Sequence, residues 1–316
     1  MRWRPEWCGY LAKRHAPDAS LDPGAATPQD KGMFVRLQTS VVEKPWGRTD
    51  IPADFGDFSG RRIGEIWFAH PDGADAPIMV KFLFTSERLS VQVHPDDEYA
   101  AQHHGGSRGK TEAWHVLAAA PQATVGLGLT APLTRAQGEA AALSGEIERL
   151  MDWRPAAAGD TFLVPAGTVH ALGPGLTLVE VQEQSDVTYR LFDYGRGREL
   201  HLQHGFDVAD LAPYTLGNDS RHTADAGRTI LTHCRYFTME RRTIRGGLAF
   251  APLAPHFHLV IVLDGEGHLA GHAVRPGEVW CVPARSEPFA IASAGGCDVL
   301  ITYPSVTPTP SFYAAG

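Results

Sequence analysis

The chain has little of what marks several large classes of protein. Its four cysteines (Cys8, Cys234, Cys281, Cys297) lie far apart with no CxxC pair, which excludes a thiolate zinc site and a disulfide scaffold and favours a reducing setting. It has no apolar run near the roughly 18 residues of a membrane span and no apolar signal core in its first residues. Charge blocks and low-complexity tracts are also missing. With a formal net charge of -8 there is no general field for polyanions, so nucleic acid is not an expected partner. The reading is a soluble, cytoplasmic protein with no membrane association.

What the 316 residues do contain is enough apolar material for a sizeable core, 43 % hydrophobic against 20 % charged. From Phe34 onward, short apolar stretches alternate with Gly, Pro, Asp and Asn, as in MVKFLF, SVQVHP, TFLVPAG, LTLVEVQ and LVIVLDGEG. These are strand signals. The exception is Thr134 to Trp153, whose composition and spacing of three and four predict one or two helices. Asp97 to His103 is a further predicted helical turn.

An internal echo points to duplication. Gly159-Asp-Thr-Phe-Leu-Val-Pro165-Ala-Gly167-Thr-Val-His170 and Gly277-Glu-Val-Trp-Cys-Val-Pro283-Ala-Arg285-Ser-Glu-Pro288 share a Gly-x5-Pro frame. In the second copy Arg285 replaces Gly167 and Pro288 replaces His170, so the frame persists while the histidine is lost. The expected fold is mainly β, two jelly-roll barrels with a short helical insertion. The expected division is an N-terminal extension (1–33), a first barrel (34–210), a linker (211–230) and a second, degenerate barrel (231–316).

Chemistry concentrates in three stretches: Ser90-Val-Gln92-Val-His94-Pro, Lys110-Thr-Glu112 and Gly167-Thr-Val-His170. On a strand Ser90, Gln92 and His94 share one face, so imidazole, carboxylate and amide oxygen can converge on one divalent ion such as zinc, iron, manganese or cobalt. One histidine among 15 is weak evidence of ligation; the Gly-x5-Pro-x-Gly-x2-His frame is the specific part. Pro165 and Gly167 form a tight turn that fixes the approach of His170. Lys110, two residues from Glu112, points into the same cavity, where desolvation beside a cation predicts a lowered pKa.

This pattern resembles the cupin superfamily. The wider motifs resemble type I mannose-6-phosphate isomerases in their short bacterial form: Glu43-Lys-Pro-Trp46-Gly47, Ile63-Gly-Glu65-Ile-Trp67, Ser90-x-Gln92-x-His94-Pro-Asp-Asp97, Gly109-Lys110-Thr-Glu112-Ala-Trp114 and Gln184-Ser-Asp186-Val-Thr-Tyr189-Arg190. The resemblance implies interconversion of mannose 6-phosphate and fructose 6-phosphate through an enediol, with a zinc ion held by Gln92, His94, Glu112 and His170. It implies catalytic roles for Arg190 in charge stabilisation, Lys110 as acid/base or phosphate anchor, and Asp186 in proton handling or lysine orientation. A structural Asp186–Arg190 ion pair is the rival reading. Ser90 and Lys110 are candidate substrate contacts, and Trp46 and Trp67 candidate walls for the sugar.

Two departures stand out. The large helical insertion of bigger relatives is reduced to the segment near Thr134 to Trp153. Gly109 occupies the place where some members have a histidine proposed to assist ring opening. His256-Phe-His258 in the second barrel lacks the further ligands of a second metal site. The expected partner is a small hexose phosphate, and the expected assembly a monomer or homodimer. The competing functions are a non-catalytic sugar-phosphate-binding cupin and a metal-dependent cupin oxygenase.

Overall fold

The computed structural model describes residues 33–73, 76–215, 222–225, 227–250, 256–284 and 286–304. The N-terminal extension up to residue 32, part of the linker and Arg285 lie outside them. Two antiparallel sheets form the first half. One has six strands in the order Gln38–Arg48, Ile63–Ala69, Ile78–Phe84, Leu176–Glu183, Glu112–Ala119, Thr161–Val164. The other has five: Tyr189–Phe192, Val91–Val93, His170–Leu172, Thr124–Leu129, Met151–Pro155. Their inner faces meet in one apolar cluster, with Leu83, Trp114, Val116 and Leu178 from the first sheet and Val125, Leu127 and Leu172 from the second. This is a jelly-roll packing of two curved sheets around a shared interior.

The six-stranded sheet is covered on its outer face too. Ile66, Phe68, Val80, Phe82, Phe84, Val179 and Val181 pack against Leu231, Phe237, Met239, Leu259, Ile261, Val279 and Leu300 of a nine-stranded sheet. Both faces being dry, every residue of Ile78–Phe84 is buried, and the strand reads as an unbroken apolar run apart from Lys81. On the far side of the nine-stranded sheet, Val260, Val262, Val299 and Ile301 alternate with those contacts and enclose a second core with Ile244, Phe250 and Trp280. The chain is thus mainly β, with few helices.

Three of those helices cover the outer face of the five-stranded sheet. Ala141 and Ala142 of Arg135–Ser144, Ile147 of Ile147–Leu150 and Phe206 of Leu202–Val208 pack on Val91, Val93, Ala171, Tyr189 and Leu191. Arg135–Ser144 opens with a capping box, in which Thr134 and Gln137 satisfy each other's backbone N–H groups, and ends at Gly145 in the left-handed region. The helical reading of Thr134 to Trp153 therefore holds only to Leu150. Met151 and Trp153 lie in a strand, because their backbone finds partners in Thr124–Leu129.

Two further pairings depart from the linear order. Val35–Arg36, expected with the first barrel, pairs with Val279–Val282 of the nine-stranded sheet. His222–Asp225, inside the expected linker, pairs with Arg228–His233. Among the described residues no helix is long and apolar enough to cross a membrane.

Candidate active site

His94 follows the strand Val91–Val93, where Pro95 ends strand pairing and Asp96 caps the next helix by accepting from Tyr99 N at 2.9 Å. That helix spans Asp97–His103, as expected. Glu112 opens its strand, and His170 follows the turn Pro165–Thr168. There Thr168 N donates to Pro165 O at 3.1 Å while Gly167 sits at φ +85°, a type II arrangement. Gly167 N also donates to His94 O at 2.9 Å, tying the two histidine-bearing segments together.

The three side chains converge. His94 Nε2 is 3.6 Å from Glu112 Oε2, and His170 Nε2 is 3.3 Å from Glu112 Oε1, all at 0–1 % side-chain exposure. Each histidine donates its Nδ1–H to a backbone carbonyl, His94 to Val187 (2.9 Å) and His170 to Thr168 (2.8 Å). Carbonyls only accept, so both Nε2 lone pairs face Glu112. Burial holds His94 well below the ordinary imidazole pKa, and desolvation takes His170 down to about 4. Both rings are therefore neutral near pH 7, the state a metal ligand needs.

These groups fit a divalent metal. His94 Nε2 and Glu112 Oε1 are buried acceptors without a hydrogen bond, and Glu112 Oε2 meets only the Lys110 ammonium. Acceptors so placed repel each other unless a cation lies among them. A tetrahedral ion with bonds of about 2.0–2.1 Å sets its ligand atoms roughly 3.4 Å apart, which matches the spacing observed. Gln92 is the cross-strand partner of His170 and places its amide nitrogen 3.2 Å from His170 Nε2, while its Oε1 accepts from Ser90 at 3.2 Å. A half-turn of the amide exchanges oxygen for nitrogen at that position.

Beside this trio runs a chain of alternating charge, buried except at its Asp186 end. Lys110 Nζ is 3.1 Å from Glu112 Oε2 and 3.9 Å from Glu180 Oε1; Lys81 Nζ is 3.7 Å from Glu180 Oε1 and 3.5 Å from Asp186 Oδ1. Lys81 also stands over the Trp67 ring at 4.3 Å, and Trp67 donates to Glu65 at 2.6 Å. The expected lowering of the Lys110 pKa runs the other way: desolvation does lower it, but the charges of Glu112, Glu180 and Asp186 outweigh this and raise it. Burial and the Glu112 charge push the Glu180 carboxyl up, against Lys110 and Lys81.

Asp186 is open to water at the mouth of the site. Partial desolvation opposes its charge, and Lys81, Lys110 and Lys44 more than offset this, holding its carboxyl below the usual range. Arg190 is the cross-strand partner of Gln92 and so shares its face. No ion pair joins Asp186 to Arg190: the former pairs with Lys81, and Arg190 Nη1 donates to Glu199 O at 2.8 Å. Trp46, at 3 % exposure, belongs to the interior cluster; Trp67 alone of the two is at the charged chain. Lys81 and Glu180 were missed in the sequence. Their signals were a single lysine in an apolar run and a glutamate in phase with Gln182 on Leu176–Glu183. A cavity of about 300 Å³ lined by Asp96, Glu98, Tyr99, Gly167 and Asp207 shares none of the groups of this site.

A jelly-roll barrel holding a buried imidazole–carboxylate–imidazole group suited to a divalent metal defines a cupin-like protein. Over 262 residues the chain is 34 % identical to the mannose-6-phosphate isomerase ManA of Bacillus subtilis, covering 77 % of this chain and 82 % of that one. Over 296 residues it is 32 % identical to the mannose-6-phosphate isomerase of Streptococcus mutans, covering 78 % and 91 %. The chain belongs to the mannose-6-phosphate isomerase family. The crystal structure of the mannose 6-phosphate isomerase from Bacillus subtilis superposes with a TM-score of 0.76 at 26 % identity, over 85 % of this chain and 99 % of that one. No family model matches the sequence.

Proposed function

We propose that the protein interconverts mannose 6-phosphate and fructose 6-phosphate, moving a proton between C1 and C2 through an enediol. One divalent ion, zinc, would be held by His94, Glu112, His170 and Gln92. The observation that carries this reading is the convergence of buried His94, His170 and Glu112 acceptor atoms, with the Lys110 ammonium 3.1 Å from Glu112 Oε2. When bound, the ion supplies Lewis-acid stabilisation of oxygen charge.

The chain's own residues supply the rest. Asp186, ionised and open at the mouth, is in the state of a proton acceptor, and Lys81 holds its orientation. Lys110 and Arg190 present fixed positive charge toward the oxygen that becomes negative in the enediolate. The Ser90 hydroxyl and the lysine ammonium groups suit the phosphate, and Trp67 offers its ring to the sugar. Around Lys81, Lys110, Glu112 and Glu180, side chains at 0–5 % exposure keep water out, which strengthens the interactions made there. The free thiols of Cys234, Cys281 and Cys297 support a cytoplasmic setting.

The test is turnover of mannose 6-phosphate by metal-loaded protein before and after chelation, with His170→Ala and Arg190→Ala alongside. The expected result is chelator-sensitive isomerisation that both substitutions abolish. Folded, metal-loaded protein that binds hexose phosphate but never exchanges its C2 hydrogen with solvent would overturn the assignment in favour of an inert binder.

A further inference from the structure

The Arg190 guanidinium has little holding it. Its Nη1 donates to the Glu199 carbonyl, while Nε is buried without a hydrogen bond. That carbonyl is carried by a hairpin. Arg196 N donates to Asp193 O at 3.1 Å, and Tyr194 and Gly195 between them have φ of +54° and +71°, the signs a type I′ turn requires. A tyrosine there is strained, so the tight return is held by something stronger than turn preference. The returning limb runs beside its target: His201 N donates to Arg190 O at 2.8 Å, and Arg190 N donates to His201 Nδ1 at 3.2 Å.

What closes the hairpin is Asp193, a carboxylate at 3 % exposure. Its Oδ2 accepts from Arg198 Nε at 2.7 Å, and its Oδ1 accepts from Arg198 Nη2 and, at 3.4 Å, from Arg196 Nη1. Arg196 in turn donates to Arg88 O at 2.8 Å and Glu87 at 3.0 Å, pinning the loop to the barrel. A two-pronged Arg–carboxylate contact fixes direction as well as distance. Arg198 also lies close enough for its charge to act on Arg190, an effect that Asp193 counters.

We propose that Asp193 and Arg198 are positioning residues for Arg190. Their clasp sets the Glu199 carbonyl, and that carbonyl sets where the guanidinium meets substrate. The inference rests on the reading of Arg190 as a charge-stabilising group.

The experiment compares kcat and KM of metal-loaded Asp193→Asn, Arg198→Gln, Arg198→Lys, Arg190→Lys and the Asp193→Asn/Arg190→Lys double variant. Asp193→Asn and Arg198→Gln each lower kcat about tenfold with KM within about twofold, and Arg198→Lys recovers part of the loss. In the Arg190→Lys background, which has lost the planar fork, Asp193→Asn lowers kcat less than about twofold. An equal loss in both backgrounds, or wild-type kcat for Asp193→Asn, overturns the proposal while leaving Arg190 in its role. Wild-type kcat for Arg190→Lys and Arg190→Ala overturns the reading of Arg190 itself. If Asp193→Asn does not fold, the two Arg198 variants, crossed with Arg190→Lys, decide the matter in the same way.

Discussion

Lys81 and Glu180 face each other as cross-strand partners in the middle of the six-stranded sheet, Nζ to Oε1 3.7 Å, with side chains only 3 % and 5 % exposed. Removing one member leaves the other buried and short of a partner, which costs about 3–5 kcal/mol in such settings. Lys81→Met should therefore lower the urea midpoint sharply, and Lys81→Met/Glu180→Leu should recover most of it. Turnover should be lost in both, since Asp186 loses its ammonium partner. A double variant that regains activity along with stability would show the pair to be purely structural.

Metal content separates the four proposed ligands. Protein as purified should carry about one equivalent per chain, held by the buried imidazole and carboxylate donors, with a coordination position left to substrate. His94→Ala, Glu112→Ala and His170→Ala should each bring this close to zero by elemental analysis, and Gln92→Ala should only weaken retention. Chelation should also lower the melting temperature, because the ion binds the folded form alone. Full loading of Glu112→Ala would refute the site.

Gly109 has no room for a side chain. A Cβ there would lie 2.4 Å from Asp96 C and 2.5 Å from Asp97 N, both backbone atoms. Gly109→Ala must displace the segment that follows His94-Pro95, with a destabilisation of about 1–3 kcal/mol. Weaker metal retention should accompany it, and an unchanged melting temperature would contradict the packing described. The same contact excludes a histidine at this place.

Stability should depend on pH through Glu183. Burial pushes its carboxyl up to about 7, with Thr111 N–H working against the shift. The folded value is raised above the unfolded one, so the folded state holds the extra proton: the stabilisation is complete below about pH 4.5 and is lost as pH rises through 7. The span corresponds to about 3 kcal/mol. Glu183→Gln should flatten this part of the melting-temperature profile. A wild-type profile that rises across the same window once the other carboxylates are accounted for by that variant would contradict it.

The turn that delivers His170 was legible because Gly167, at φ +85°, is a position that other residues resist. His94, Glu112 and Lys110 were legible for a related reason: short spacing on one chain segment fixes which side chains share a face. Lys81 and Glu180 were not, since what joins them is the register between strands far apart in sequence. Trp46 shows the opposite failure, an aromatic side chain assigned to the pocket that the interior absorbed. Val35–Arg36 is too short for any periodicity to announce its partner, and the Asp193 clasp depends on a turn that tyrosine disfavours.

The six-stranded sheet, covered on both faces, ties the first half of the chain to the second. A chain severed after Asp210 would leave Ile66, Phe68, Val80, Phe82, Phe84, Val179 and Val181 as one bare apolar plate, a surface on which proteins aggregate. The half whose frame no longer carries a histidine thus persists as the lid of that plate. The apolar contacts of Leu231, Met239, Leu259, Ile261, Val279 and Leu300 perform this covering without any ligand chemistry.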